Sequence, residues 1–148
     1  NSPQVDIDLL NCIDSVIPYH ILYILEYNGK YQAWISYKET TDIENKRFKV
    51  DRYYHTNWLE ETELIVKLEG LSLDDVYENL LRQIAGDKLQ SNNSSESLKQ
   101  SVERDKEIET LQKQISILQN KIRKEKQLNK QIEINTELKK LRRVLEKL

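Results

Sequence analysis

The sequence predicts an α+β head, an antiparallel sheet of three to four strands with two helices, followed by an all-α coiled-coil stalk. Three observations carry this. Residues 21–27 and 31–37 are rich in β-branched and aromatic side chains and flank Asn28-Gly29. That dipeptide is the preferred two-residue hairpin turn, because both residues tolerate positive φ. Residues 98–148 contain no glycine, proline or aromatic residue, and their apolar side chains recur at helical steps of three and four. Between these regions, residues 90–95 are uniformly polar and have little to bury. The expected boundaries are 1–88 for the head, 89–97 for a linker and 98–148 for the stalk.

The elements follow in order. Ser2 reads as an N-cap and Pro3 as a first helical position. Val5, Leu9, Leu10, Ile13, Val16 and Ile17 supply an apolar face, and Asp6 and Asp8 suit the positive end of the helix dipole. Pro18 stops this helix near Val16. Residues 21–27 are apolar on both faces, which predicts the central strand. Residues 40–46 are polar and predict a loop. Residues 47–54 alternate apolar and charged and predict a third strand; residues 64–68, closed by Gly70, predict a fourth. Ser72 is the expected N-cap of a second helix, with Asp74 and Asp75 in its first turn. Val76, Leu80, Leu81 and Ile84 form its buried stripe, and Gly86 ends it.

In the stalk, Ile108, Leu111, Ile115, Leu118 and Ile122 occupy alternating a and d positions. The same register then meets Glu125 and Asn129, and a new one runs through Leu138, Leu141, Leu145 and Leu148. Two structures account for the break. The chain turns within residues 125–131 and folds back as an antiparallel helical hairpin, setting Ile115 against Leu145. Alternatively, one long helix continues through a stutter and pairs with another subunit. Absence of glycine and proline favours continuity; the phase break and the matched lengths favour the hairpin.

Composition bounds the function. The chain has 148 residues, room for one domain and an appendage. Residues 1–90 carry 16 acids against 9 bases, and residues 91–148 carry 9 acids against 14 bases. An acidic head thus precedes a basic stalk, whose charge is either a solvated helix surface or a site for an acidic partner. A single cysteine, Cys12, excludes an intramolecular disulfide and fits a reducing, cytoplasmic setting. No run is long and apolar enough for a membrane span. The chain has no methionine and no strand before its first helix, so a missing N-terminal segment is expected.

No chemistry is legible. There is no phosphate-binding or dinucleotide-binding glycine motif, and one cysteine with two distant histidines cannot build a zinc site. No cofactor, metal or catalytic residue is assigned. His20 and His55 read as packed or surface residues. A restriction-nuclease reading needs an acid before a strand bearing Glu-x-Lys; Glu26 is followed two positions on by Asn28 rather than Lys, and Tyr37-Lys38-Glu39 has the wrong order. Most aromatics fall in the sheet region, where packing explains them. Tyr53, Tyr54 and Trp58 are the candidate protein-binding patch.

Several stretches carry a family resemblance. They include Ile17-Pro18-Tyr19, Ile35-Ser36-Tyr37-Lys38, Tyr53-Tyr54-His55-Thr56 before Trp58-Leu59, Val76-Tyr77-Glu78-Asn79-Leu80, and Asn135-Thr136-Glu137-Leu138-Lys139. With these the whole chain resembles the bacterial family catalogued as domain of unknown function 4391. The resemblance implies an additional N-terminal segment with a strand, and genes lying near the DNA methyltransferases and helicases of restriction-type systems. It implies no catalytic residues.

Three functional expectations result. The first is a non-catalytic accessory or scaffold protein of a restriction-type phage-defence system that binds itself or a methyltransferase or helicase subunit. The second is DNA binding through Lys121, Arg123, Lys124, Lys126, Lys130, Lys139, Lys140, Arg142 and Arg143. The third is an enzyme whose site lies largely in the missing segment.

Overall fold

A computed structural model describes residues 3–42, 47–91 and 96–148. The element order is α1 (Ile7–Val16), β1 (Leu22–Tyr27), β2 (Lys30–Asp42), β3 (Arg47–His55), β4 (Leu59–Glu60), α2 (Leu73–Ala85), α3 (Leu98–Lys124) and α4 (Leu128–Leu145). The fold is α+β, with a helical C-terminal part. The chain divides into two compact units, Asn1–Gln90 and Ser91–Leu148.

In the first unit, α1 starts later than its sequence predicts. Its N-cap is Asp6, whose side chain accepts from the backbone N–H groups of Asp8 and Leu9. Asp6 caps better than the proline start because its carboxylate both satisfies orphan donors and faces the positive helix end. The Ser2 cap lies outside the described residues. The helix ends at Val16, before Pro18, as expected.

The β1–β2 hairpin turns at Asn28 and Gly29, both at positive φ (52° and 75°). The centre of the sheet is β2, not β1: β2 pairs antiparallel with β1, β3 and β4. Residues 32–38 are buried on both faces, whereas Ile24 and Tyr27 of β1 are exposed. The apolar content of β1 therefore misled the assignment of the centre, because burial follows the number of paired neighbours as well as side-chain type. β2 also runs on to Asp42, through residues expected to loop, with register shifts at Tyr37/Lys38 and Thr40/Asp42. Residues 43–46 of that loop lie outside the described residues.

The fourth strand is Leu59–Glu60, not residues 64–68. The latter segment runs beside α2. Gln83 reads its backbone as a strand would: Lys67 N–H donates to Gln83 Oε1, and Gln83 Nε2 donates to Lys67 O, both at 2.9 Å. The second helix is capped by Ser72 and Asp75 in a reciprocal capping box and ends at Gly86, as its sequence predicts.

In the second unit, α3 and α4 are separate helices in contact with each other. Three residues, 125–127, join them, a length that sets helices antiparallel as neighbours. Glu125 closes α3 and then accepts from the N–H groups of Lys126 and Gln127 through Oε1. Those bonds to Gln127 and Lys126 hold its carboxyl below the usual range. Leu111, Ile115 and Leu138 are buried. With the link centred on Lys126, Ile115 and Leu138 stand about equally far from it, so Ile115 is level with Leu138 rather than Leu145. The turn sits at the start of the 125–131 window, which shifts the expected pairing by about two turns.

Candidate functional site

α1 brings Ile7, Leu10, Asn11 and Asp14 to one side, at the helical spacing of three and four residues. Leu10 and Asp14 are buried. A carboxylate at a core position needs a partner, since an isolated buried charge is strongly disfavoured. β2 supplies it: Lys38 Nζ lies 2.9 Å from Asp14 Oδ1, with side-chain exposures of 2% and 0%. This is a charge contact without a well-directed hydrogen bond. The Lys38 ammonium also donates to Tyr19 O at 2.6 Å and Ile17 O at 3.4 Å. The ammonium thus donates to two carbonyl oxygens while its charge faces the Asp14 carboxylate.

The second Asp14 oxygen accepts from the Tyr53 hydroxyl at 2.5 Å. Burial and then this bond push the Tyr53 phenol well above its usual pKa. Tyr23, which donates to Leu10 O, is pushed up to about 12, first by burial and then by the Asp14 charge. Tyr77 of α2 completes the surroundings. Past Leu22↔Ile35 the β1 side of β2 has lost its partner strand, and the Tyr77 hydroxyl takes that place. It donates to Ser36 O (2.9 Å) and accepts from Lys38 N–H (3.2 Å). His20 stacks on the Tyr77 ring at 3.5 Å, and burial, then the Lys38 charge, lower its pKa. The cluster is closed, its opposite charges face each other, and its phenols are hydrogen-bonded, which is the chemistry of a structural anchor.

Beside this anchor the same sheet face opens. A hollow of about 330 Å³ lies between α1 and the sheet, lined by Ile7, Asn11, Trp34, Arg52, Tyr53 and His55 among others. A second, of about 510 Å³, shares Ile7, Trp34 and His55 with it and adds Gln32, Trp58 and residues 3–6. A third, of about 300 Å³, continues past Trp58 to Leu25 and Tyr27. Shared lining residues make these one groove along the N-terminal end of α1. Its floor is fixed. Trp34 Nε1 donates to Gln32 Oε1 at 2.8 Å, and His55 stacks on Trp34 at 4.2 Å. Gln32 Nε2 donates to Thr56 O at 2.7 Å, and Thr56 Oγ1 accepts from Ala33 N–H. Trp58 tilts against Tyr27. Such a surface, aromatic with a few oriented polar groups, binds by burial and stacking.

The three candidate aromatics separate. Tyr53 and Trp58 line the groove, while Tyr54 is 2% exposed and belongs to the core. Strand alternation decides this, sending Tyr53 and Tyr54 to opposite faces. The nine candidate cations are all exposed. Lys121, Arg123 and Lys124 stand in the last turn of α3, Lys126 in the link, and Lys130, Lys139, Lys140, Arg142 and Arg143 on α4. Among the described residues, no group of three histidine, cysteine or acidic side chains is placed to hold a metal. The Asp14–Lys38 anchor was missed from the sequence. Its signal was an aspartate within an apolar helical stripe and a lysine within a buried strand.

A family model for a domain of unknown function, DUF4391, matches residues 1–145. The chain belongs to this family. No curated protein and no solved structure matches it. No helix among the described residues is long and apolar enough to cross a membrane. For this DUF4391 chain, the anchor and the groove are therefore read from the geometry alone.

Proposed function

We propose that this chain is a non-catalytic interaction module, in which the groove along α1 receives a partner protein. The observation that carries the reading is the continuous groove floored by Trp34, His55 and Trp58, with Gln32 and the Thr56 carbonyl already engaged with the Trp34 and His55 rings. Preorganised aromatics with satisfied polar neighbours are what interface anchors require. The family resemblance points to a cytoplasmic accessory subunit of a restriction-type defence system, with a methyltransferase or helicase subunit as partner. The α3–α4 pair acts in it as a short coiled-coil stalk.

The test is binding of the full chain to such purified subunits by calorimetry. Trp58→Ala is expected to weaken binding about tenfold or more, with an unchanged circular dichroism spectrum. Equal binding by Trp58→Ala, or none by the unaltered chain, ends the reading.

A second reading, DNA binding, is favoured by the exposed cations of α4, where residues 138–144 carry four bases and no acid. Affinity for duplex DNA should then fall steeply with salt, and Lys139→Ala with Arg143→Ala should reduce the salt slope by about two. Anisotropy titrations at several salt concentrations decide it.

A further inference from the structure

The segment between β4 and α2 displays its aliphatic side chains instead of burying them. Ile65, Leu68, Leu71 and Leu73 are 69%, 74%, 103% and 88% exposed. Scattered exposed leucines are ordinary, but four within nine residues form a patch of the kind that marks an interface. The backbone beneath them is held, and α2 does the holding. Gln83 brackets Lys67 with two hydrogen bonds, Asn79 Nδ2 donates to Glu69 O at 2.7 Å, and Asp75 Oδ2 accepts from Leu71 and Ser72 N–H. Gly70 sits at φ +155° where a Cβ would lie 2.7 Å from Val76 N. Fixing an apolar segment in place before anything covers it lowers the entropy cost of covering it.

The charge around the patch specifies what fits. Residues 61–78 carry six acids and one base, Lys67. An occupant must be apolar at its centre and cationic at its edge. The chain presents such a surface on α4. Leu128, Ile132, Thr136, Lys140 and Val144 form one ridge at steps of four, all exposed, and Lys139 and Arg143 flank it. It lies largely away from the Leu138, Leu141 and Leu145 stripe that faces inward.

We propose that the Ile65–Leu73 patch is a self-association site that receives the basic ridge of α4 from a second copy of this chain. Leucines meet Leu128, Ile132 and Val144, and the acidic rim meets Lys139, Lys140 and Arg143. The residues differ from those of the groove, so the proposal stands or falls independently of the partner reading.

Sedimentation equilibrium of the full chain over a range of concentration and salt tests it. Association is expected at low salt and should weaken as salt rises. Leu68→Ser with Leu71→Ser should raise the dissociation constant about tenfold or more; both side chains are exposed, so folding is not at stake. Lys139→Glu with Arg143→Glu should do the same, as should Glu61→Lys with Glu69→Lys, and combining the two charge reversals should restore association. A monomer at every concentration in low salt overturns the proposal. So does association that none of the variants changes. Loss of duplex DNA binding by Lys139→Glu with Arg143→Glu, at unchanged mass, assigns the ridge to phosphates and overturns it too.

Discussion

Asp14 and Lys38 are the residues whose removal should be felt most. Both are buried, and each is the other's counter-charge. Asp14→Ala leaves an ammonium with two carbonyl partners and no counter-charge, so a loss of about 3–5 kcal/mol in urea unfolding is expected. Replacing both, Asp14→Leu with Lys38→Met, should cost much less, because no charge is then left unpaired. Tyr53→Phe removes one charge-assisted bond and should cost about 1.5–3 kcal/mol. The tyrosines also set a pH limit. A folded-state phenol pKa raised from 10 to about 12 means that Tyr23 keeps its proton in the folded chain after the unfolded chain has lost it. Its contribution is full below pH 10 and is lost as pH rises toward about 12. Urea midpoints should fall across that window, and Tyr23→Phe should flatten the fall. His20 acts in the opposite direction. Its lowered pKa favours the neutral ring in the folded state, so its contribution is lost as pH drops below 6.5.

Local signals at the level of elements succeeded where a side chain acts on its own backbone. Asn28-Gly29, the Ser72 cap, Pro18 and Gly86 each bound an element as expected. They failed where the deciding contact is distant. Residues 64–68 have a strand's composition, yet α2 pairs with their backbone through Gln83, fifteen or more positions away. Gly70 shows how tight that arrangement is: Gly70→Ala should cost about 1–3 kcal/mol, since it combines positive φ with a contact to Asp75 and Val76. In the helical unit, Leu138→Ala should lower helicity-monitored stability by about 2–5 kcal/mol, whereas Ile132→Ala, on the exposed ridge, should stay within about 0.5 kcal/mol. Parallel denaturation curves followed by circular dichroism separate these outcomes.

Across the molecule, both tryptophans belong to the first unit and none to the second. Tryptophan fluorescence therefore reports the sheet and its groove, and Asp14→Ala should lower the midpoint seen by that probe. The charge asymmetry of the chain and the helical character of its C-terminal part were legible in the sequence, because composition and periodicity are properties of the chain itself. The break near residue 125 was legible as a loss of phase. Its position, and with it the level of Ile115 against Leu138, came only from the structure, since the Glu125 bonds that fix the link follow no repeat. The candidate site was half legible. Tyr53 and Trp58 could be named as aromatics near a strand end, but not distinguished from Tyr54, because one residue of register sends a side chain to the core or to the groove. Nor could the sequence join Asp14 to Lys38, or choose β2 over β1 as the centre of the sheet. Those depend on which strands pair and which helix covers them, and pairing partners far apart in the chain are selected by packing, which no local pattern encodes.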